Sequence, residues 1–503
     1  MLCAPPDSQS ESRESESGMA GMTVRRAMWV GRARTFAFFV LALVIVALSG
    51  VLAAKPAHAK TFIVNSIDDE ADKTPGNGLC QITSADQCTL RAAIEEANAS
   101  AGADTINFAI PGAGPHTISP GSELPTITQT VTIDGYTQSG ASPNTLAQPD
   151  KTNAVLKIEL SGPPSAPPPG QFVNGLELSG ANASNSVIRG LVINHYDDGI
   201  FIGNGAGYKI EGNFIGTDPG GTVRTGNRSA GVDTLSTSNT TIGGTTPDKR
   251  NIISGNFYGL EVSGTGNKIG GNLIGTNKDG TDTPNHLGNT YGVLVGSQAN
   301  NNTIGDSDPS DGPINAANVI AFNFGRGVTL GFGAGNGNRI LSNSIYDNGL
   351  LGIDLSRQFD PASGVTPNDP MDKDTGPNGL QNYPDITSAQ TLGGSTLING
   401  TLNSTPSTRK KKRIFIIQFF SSPEDPPDSG VNDPSGYGEG ETFLGQIQVK
   451  TDRQGNVSPS PFAFGINGDF SNRVITATAT NKRTGDTSEF SEAEPVQGIV
   501  IGP

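Results

Sequence analysis

Six times between Gly199 and Leu355 a glycine opens a short run with apolar residues two apart: "GIFI" at Gly199, "GVDTL" at Gly231, "GLEV" at Gly259, "GVLV" at Gly292, "GVTL" at Gly327 and "GIDL" at Gly352. The spacings are 32, 28, 33, 35 and 25 residues. A fixed core pattern with irregular spacing means that one supersecondary unit recurs while its loops vary in length. That constraint excludes most globular folds. The chain has 503 residues, of which 67 are glycine, and only 6% are aromatic, as stacked short strands with many turns and few bulky core residues require.

A second strand precedes most of these glycines and carries asparagine two positions before isoleucine. The asparagines are Asn213, Asn251, Asn272, Asn318 and Asn343. In-register parallel stacking would bring each amide about 4.8 Å from its copy in the next coil, the geometry of an internal asparagine ladder. A third strand carries Ile188, Ile210, Ile242, Ile269, Ile304 and Ile340. Three short strands per coil predict an all-β parallel β-helix over residues 104–358. A propeller would need four antiparallel strands and about 40 residues per blade.

Long loops alternate between the two margins of the Asn-x-Ile sheet, at 218–230, 243–250, 277–291 and 305–317. Outward positions of that sheet include Phe214, Ile252, Leu273 and Val319. Either the loops bury these side chains, or they wall a trough with an apolar floor; contiguous exposed apolar patches are uncommon on soluble proteins.

The first 59 residues read as an export signal. A basic stretch precedes the apolar run Phe36 to Leu48, and Ala57-His58-Ala59 places small residues at a cleavage point. An uncleaved anchor is the alternative. Cys80 and Cys88 remain in the exported chain, and eight residues apart in a polar loop they read as a disulfide. From Leu90 the apolar residues Leu90, Ala93, Ile94 and Ala97 form a helical stripe, and Thr89 can cap its first turn. Strand-like "TFIVNS" and "DTINFAI" flank this helix, so it predicts a lid over the open end of the solenoid, within a cap at 60–103.

This stretch carries a resemblance. Cys88, Leu90, Arg91 and Ala93 in "CTLRAA" resemble the CSLREA motif of exported bacterial proteins with right-handed parallel β-helix repeats, departing from it at Thr89 and Ala92. The likeness continues through "DTINFAI" and "TITQTVTIDGYTQSGASPNT" into the repeats. It implies a right-handed, pectate-lyase-like β-helix and no particular activity, since the family as such has none settled.

Residues 359–385 form a polar, acidic linker, and alternating strands over 386–498 predict a β-sandwich. In "NDPMDKDTGPNG" the oxygens of Asp369, Asp372, Asp374 and Asn378 offer a hard-cation site, so structural calcium is a candidate cofactor; a solvated acidic loop is the alternative.

A formal net charge of −15 argues against nucleic acid or an anionic membrane surface as partner. Polysaccharide cleavage is the sharpest enzymatic hypothesis, and glycoside hydrolysis needs two carboxyl groups at one bond. "NHYDDG" offers Asp197 and Asp198 beside His195, although consecutive aspartates share a site only within a turn. Arg326 and Arg339 could serve a lyase, but no acidic column is apparent beside them. The sequence therefore points to a secreted or cell-surface protein that binds polysaccharide or another surface polymer without cleaving it. A polysaccharide lyase or glycoside hydrolase is the alternative, and a structural stalk comes third.

Overall fold

A computed structural model describes residues 58–83, 86–147, 149–163, 172–282, 285–306, 316–356, 364–424 and 436–498. Apart from His58 and Ala59, the signal segment lies outside the described residues. Three parallel sheets run the length of the repeats. Sheet A has nine strands, from Thr61–Val64 to Arg339–Leu341, and sheet B has eight, from His116–Ile118 to Ser344–Tyr346. Sheet C runs from Leu176–Leu178 to Ile353–Leu355. Pairing is in register from rung to rung: Ile210 with Ile242, Ile215 with Ile253, Val232 with Leu260. The chain is an all-β parallel β-helix.

Inward isoleucine, leucine and valine of all three sheets fill one continuous core. The corner between sheets B and C explains the recurrent glycine. A Cβ at Gly231 would lie 2.7 Å from the Gly259 carbonyl oxygen and 2.8 Å from Ile253 Cγ2. No side chain fits between the rungs there, so glycine is retained while the loops vary.

The first rung begins at Thr61, earlier than the cap boundary expected from sequence, because Thr61–Val64 already pairs in parallel with Asp104–Phe108. Helix α1 (Leu90–Ala99) is inserted between these two strands. Its Leu90, Ala93, Ile94 and Ala97 join the solenoid core, and Thr89 accepts a hydrogen bond from the Ala92 N–H at its N-terminus. The helix is the lid. Arg91 ties it down, pairing with Asp69 at 2.9 Å and donating to the carbonyls of Ser122 and Glu123. Glu96 is wholly buried, and its carboxylate accepts the N–H groups of Gly76 and Gly78. Cys80 and Cys88 are joined by a disulfide beside the helix start.

At the other end lies an eight-stranded, mostly antiparallel sheet. Glu494–Gly498 pairs with both of its halves, which enclose Ala389, Ile398, Phe415, Phe419 and Ile475 as in a sandwich. On Ile414–Pro423 the side chains alternate: Phe415, Ile417 and Phe419 face this second core, whereas Phe420 joins the solenoid core with Phe490. The C-terminal sheet therefore closes the last rung. The segment expected to be a linker is built in as well, with Pro377, Asn378 and Leu380 buried.

Asparagine ladders run through the corners. Asn213, Asn251, Asn272 and Asn318 each donate Nδ2–H to the Oδ1 of the next, at 3.2, 2.9, 2.9 and 2.8 Å, and the ladder ends on Asn343. A second ladder links Asn227, Asn256, Asn289, Asn323 and Asn348 between sheets B and C. A third, at the corner between C and A, runs through Asn267, Asn302, Asn338 and Asn378.

Candidate functional site

The outer face of sheet B is not a trough. Phe214, Ile252, Leu273 and Val319 are buried in a secondary cluster with Leu156, Val192 and Ala321, and Tyr136 and Ala154 pack over them. The cover comes from the excursion at residues 135–147 and 149–156, held in place by Arg250, which donates to the Lys151 carbonyl at 2.6 Å, and by the Thr152 N–H on the Lys278 carbonyl. Burial wins because four stacked apolar side chains would otherwise form an exposed stripe.

The expected calcium ligands divide. Asp369, Asp372 and Asp374 converge so that one oxygen from each lies within 4.8 Å of the others. Burial pushes the Asp372 carboxyl up to about 6, although Ser404 and the Asn382 N–H bond to it. Asn378 belongs elsewhere. Its Oδ1 accepts the Asn338 N–H, and its Nδ2 donates to the Asn338 and Thr487 carbonyls, making it the last rung of the third ladder.

Asp197 and Asp198 do lie in a bend, but their side chains diverge. Asp197 is buried, accepts the Val173 N–H at 2.7 Å and pairs with Arg228 at 2.9 Å, which occupies it in the corner. Asp198 accepts the Ala230 N–H and sits at the margin of sheet C. His195 occupies a left-handed turn with φ of 65°; its Nδ1 is 3.0 Å from Asn194 Oδ1. The Asn194 amide is oriented by donating Nδ2–H to Glu159 and to the Thr217 carbonyl, and the Ser161 hydroxyl lies 3.2 Å from the same imidazole nitrogen.

Asp198 belongs to an arrangement that sequence reading missed. Two columns of positions lie on the outer side of sheet C, one at the corner just before each glycine and one between the two inward strand positions. The residue before each rung's glycine gives Asp198, Ala230, Tyr258, Tyr291 and Arg326 in order; the second residue after it gives Phe201, Asp233, Glu261, Leu294, Thr329 and Asp354. Asp233 and Glu261 are register partners on successive rungs, so about 4.8 Å separates their backbones. Among the described residues neither carboxyl has a protein hydrogen bond or ion pair. Burial raises both; the Asp233 carboxyl is pushed up to about 8, with Glu261 and Asp198 adding to the shift. Near neutral pH Asp233 holds its proton. Phe201 and Leu294 bracket the pair along the column.

Aromatic rings lie beside these carboxyls. Tyr258 and Tyr291 stack with centroids 5.6 Å apart, and Phe257, 42% exposed, meets Tyr258 edge-on at 4.7 Å. Further along, Arg326 is paired with Asp354, whose carboxyl burial pushes up to about 6 against the pull of the guanidinium. Arg339 lies on sheet A, away from this face. An open cleft of about 480 Å³ adjoins the columns at the B–C corner, lined by His195, Arg224, Thr225, Arg228, Phe257 and Thr290.

The columns become readable only once the glycine of each rung fixes the count. Counting two residues on from each glycine reads out Phe201, Asp233 and Glu261 in order, whereas a search for adjacent carboxylates finds only Asp197 and Asp198.

No protein-family model and no curated protein matches the chain. Among solved structures it is similar to full-length tailspike protein 2 of Escherichia coli O157:H7 bacteriophage CAB120, at 12% identity over 85% of this chain and 68% of that one, with a TM-score of 0.17. It is also similar to tailspike protein gp49 of Acinetobacter baumannii bacteriophage Fri1, a capsular polysaccharide depolymerase, at 10% identity over 78% and 68%, with a TM-score of 0.14. Likeness at this level carries no argument about activity; the fold stands on the strand pairing described above. No helix among the described residues is long and apolar enough to cross a membrane.

Proposed function

We propose that this is an exported, secreted or cell-surface protein that binds a polysaccharide along the outer face of sheet C. One observation carries the reading: Asp233 and Glu261, without hydrogen-bond or ion-pair partners among the described residues, share this face with a stacked tyrosine pair, in columns that run along the solenoid axis. Sugar hydroxyls donate to carboxylates, and sugar rings pack on aromatic side chains, so a glycan laid along the axis meets both. From Glu177 to Thr329 the six rungs whose outer positions stay accessible span about 24 Å, room for a chain of several sugars, and the face closes at buried Asp354. Sheet B is covered, and sheet A turns Thr132, Thr241 and Thr303 with Lys209 and Lys268 outward, a polar face without aromatic residues among these positions. The resemblance around Cys88 to Ala93 and the export signal support the placement outside the cell.

A second reading, glycoside hydrolysis, is favoured by the Asp233 and Glu261 pair. A protonated Asp233 can deliver its proton to the glycosidic oxygen as the bond to the anomeric carbon breaks, while an ionised carboxylate on the neighbouring rung supports attack by water. Incubating the exported form with a panel of neutral and acidic polysaccharides separates the two. Retention without new reducing ends supports binding alone. New reducing ends that disappear in Asp233→Asn establish hydrolysis, and no retention of any polymer leaves a structural stalk. Calcium at Asp369, Asp372 and Asp374 is proposed as a structural ion, remote in sequence from the glycan face.

A further inference from the structure

The cleft at the B–C corner carries two arginines in an acidic protein, Arg224 and Arg228. Arg228 is committed on two sides: Nε pairs with Asp197 at 2.9 Å and one terminal nitrogen donates to the His195 carbonyl at 3.0 Å. Among the described residues its other terminal nitrogen is buried without a partner, as is the Thr225 hydroxyl. Arg224 uses Nε on the Gly255 carbonyl at 3.1 Å and lies 5.4 Å from the centre of the Phe324 ring, which fixes the guanidinium plane. Its terminal nitrogens bind nothing among the described residues, and the side chain is exposed. The terminal nitrogens of Arg224 are therefore left for a ligand in the cleft, and Arg228, whose charge Asp197 balances, adds one N–H donor. Unpaired buried donors cost stability unless a ligand satisfies them.

We infer that this cleft holds the carboxylate of one acidic sugar, within a polymer whose neighbouring sugars, over Asp198, Asp233 and Glu261, are uncharged; the inference rests on the reading of sheet C as the glycan face. Three features converge on it. A planar carboxylate matches a guanidinium edge with two parallel hydrogen bonds. The volume of about 480 Å³ falls within the range of small-molecule sites, and exposed Phe257 offers an apolar wall to a ring. A uniformly charged polyanion is disfavoured, because the chain carries a net charge of −15 and the adjoining face is lined with carboxyl groups. Acidic and neutral sugars in alternation satisfy both surfaces.

The test compares hyaluronan, which alternates acidic and neutral sugars, with alginate, in which every sugar is acidic, and with neutral dextran, by affinity electrophoresis of the intact protein. Hyaluronan should be retained most strongly, and its retention should weaken as salt is raised. Arg224→Gln, at an exposed position, should stay folded with only a small drop in melting temperature and lose about tenfold in hyaluronan affinity, with Arg224→Lys intermediate. Free glucuronate should compete better than inorganic phosphate at equal ionic strength. Unchanged hyaluronan affinity in Arg224→Gln, equal retention of dextran, or better competition by phosphate overturns the acidic-sugar assignment while leaving the glycan face standing. Retention of none of the polymers by the wild type overturns both.

Discussion

The side-chain amide of Asn348, at the end of the second asparagine ladder, donates to the Glu439 carboxylate at 2.9 Å, across 91 residues of sequence. The same carboxylate faces the Asn348 backbone N–H. A ladder of identical amides would otherwise end on an unmatched rung, and the C-terminal sheet supplies an acceptor where the next coil would have supplied Oδ1. Thr487 and Gln418 do the same for the backbone of the last rung, accepting the N–H groups of Ile340 and Ser342. The terminal sheet is thus the structural counterpart of α1: each closes one end of the same core.

Replacing this ladder end should be costly. Glu439→Ala is expected to destabilise the protein by about 1–3 kcal/mol in denaturant unfolding, because Asn348 loses its acceptor in a buried corner. Glu439→Gln keeps a carbonyl oxygen and should lose less.

The middle of a ladder is more sensitive still. Asn272 donates to the Ile242 carbonyl and to Asn318 Oδ1, and accepts from Asn251. Asn272→Ala is expected to cost roughly 3 kcal/mol or more, since several buried groups lose their partners at once. Asn272→Asp should be worse at neutral pH: a carboxylate cannot donate, and it would bury a charge. The order of the two melting temperatures checks this.

Asp233 gives the glycan face a pH signature. Its carboxyl titrates near 8 in the folded protein and near 4 when unfolded, so between those values the folded state binds more protons and stability falls as pH rises. Asp233→Asn removes that dependence. The variant should melt clearly above wild type at pH 9, and the difference should vanish towards pH 4. Identical melting curves at pH 9 would show that Asp233 is not held in its acid form.

For the acidic trio, calcium should raise the melting temperature of wild type and not of Asp374→Asn, with a calcium-binding heat measurable by titration calorimetry only in the former. No heat and no shift in wild type would leave Asp369, Asp372 and Asp374 as a solvated turn.

The scaffold was largely legible in the sequence and the site was not, for one physical reason. Core positions repeat with the rung, so isoleucine at 210, 242 and 269 and glycine at 231, 259 and 292 announce the winding. A site on the outer face uses a different residue type on each rung, as Phe201, Asp233, Glu261 and Leu294 do, and leaves no period. Even the ladders were only partly visible: Asn227, Asn256 and Asn289 stand three or four residues before a rung's glycine, with variable offset, whereas the Asn-x-Ile pair is fixed. Asn378 misled because an asparagine in an acidic loop has a ligand's composition, and its role as a rung depends on contacts with Asn338 and Thr487 that are distant in sequence.

The most direct measurement places one bulky charge on each open face and follows polysaccharide affinity. Leu294→Arg projects from sheet C next to Glu261, and Thr241→Arg projects from sheet A. With both variants folded, Leu294→Arg should weaken binding of a retained polysaccharide by about tenfold or more while Thr241→Arg stays near wild type. Equal affinity in the two variants, or loss only in Thr241→Arg, would contradict the assignment of sheet C as the glycan face.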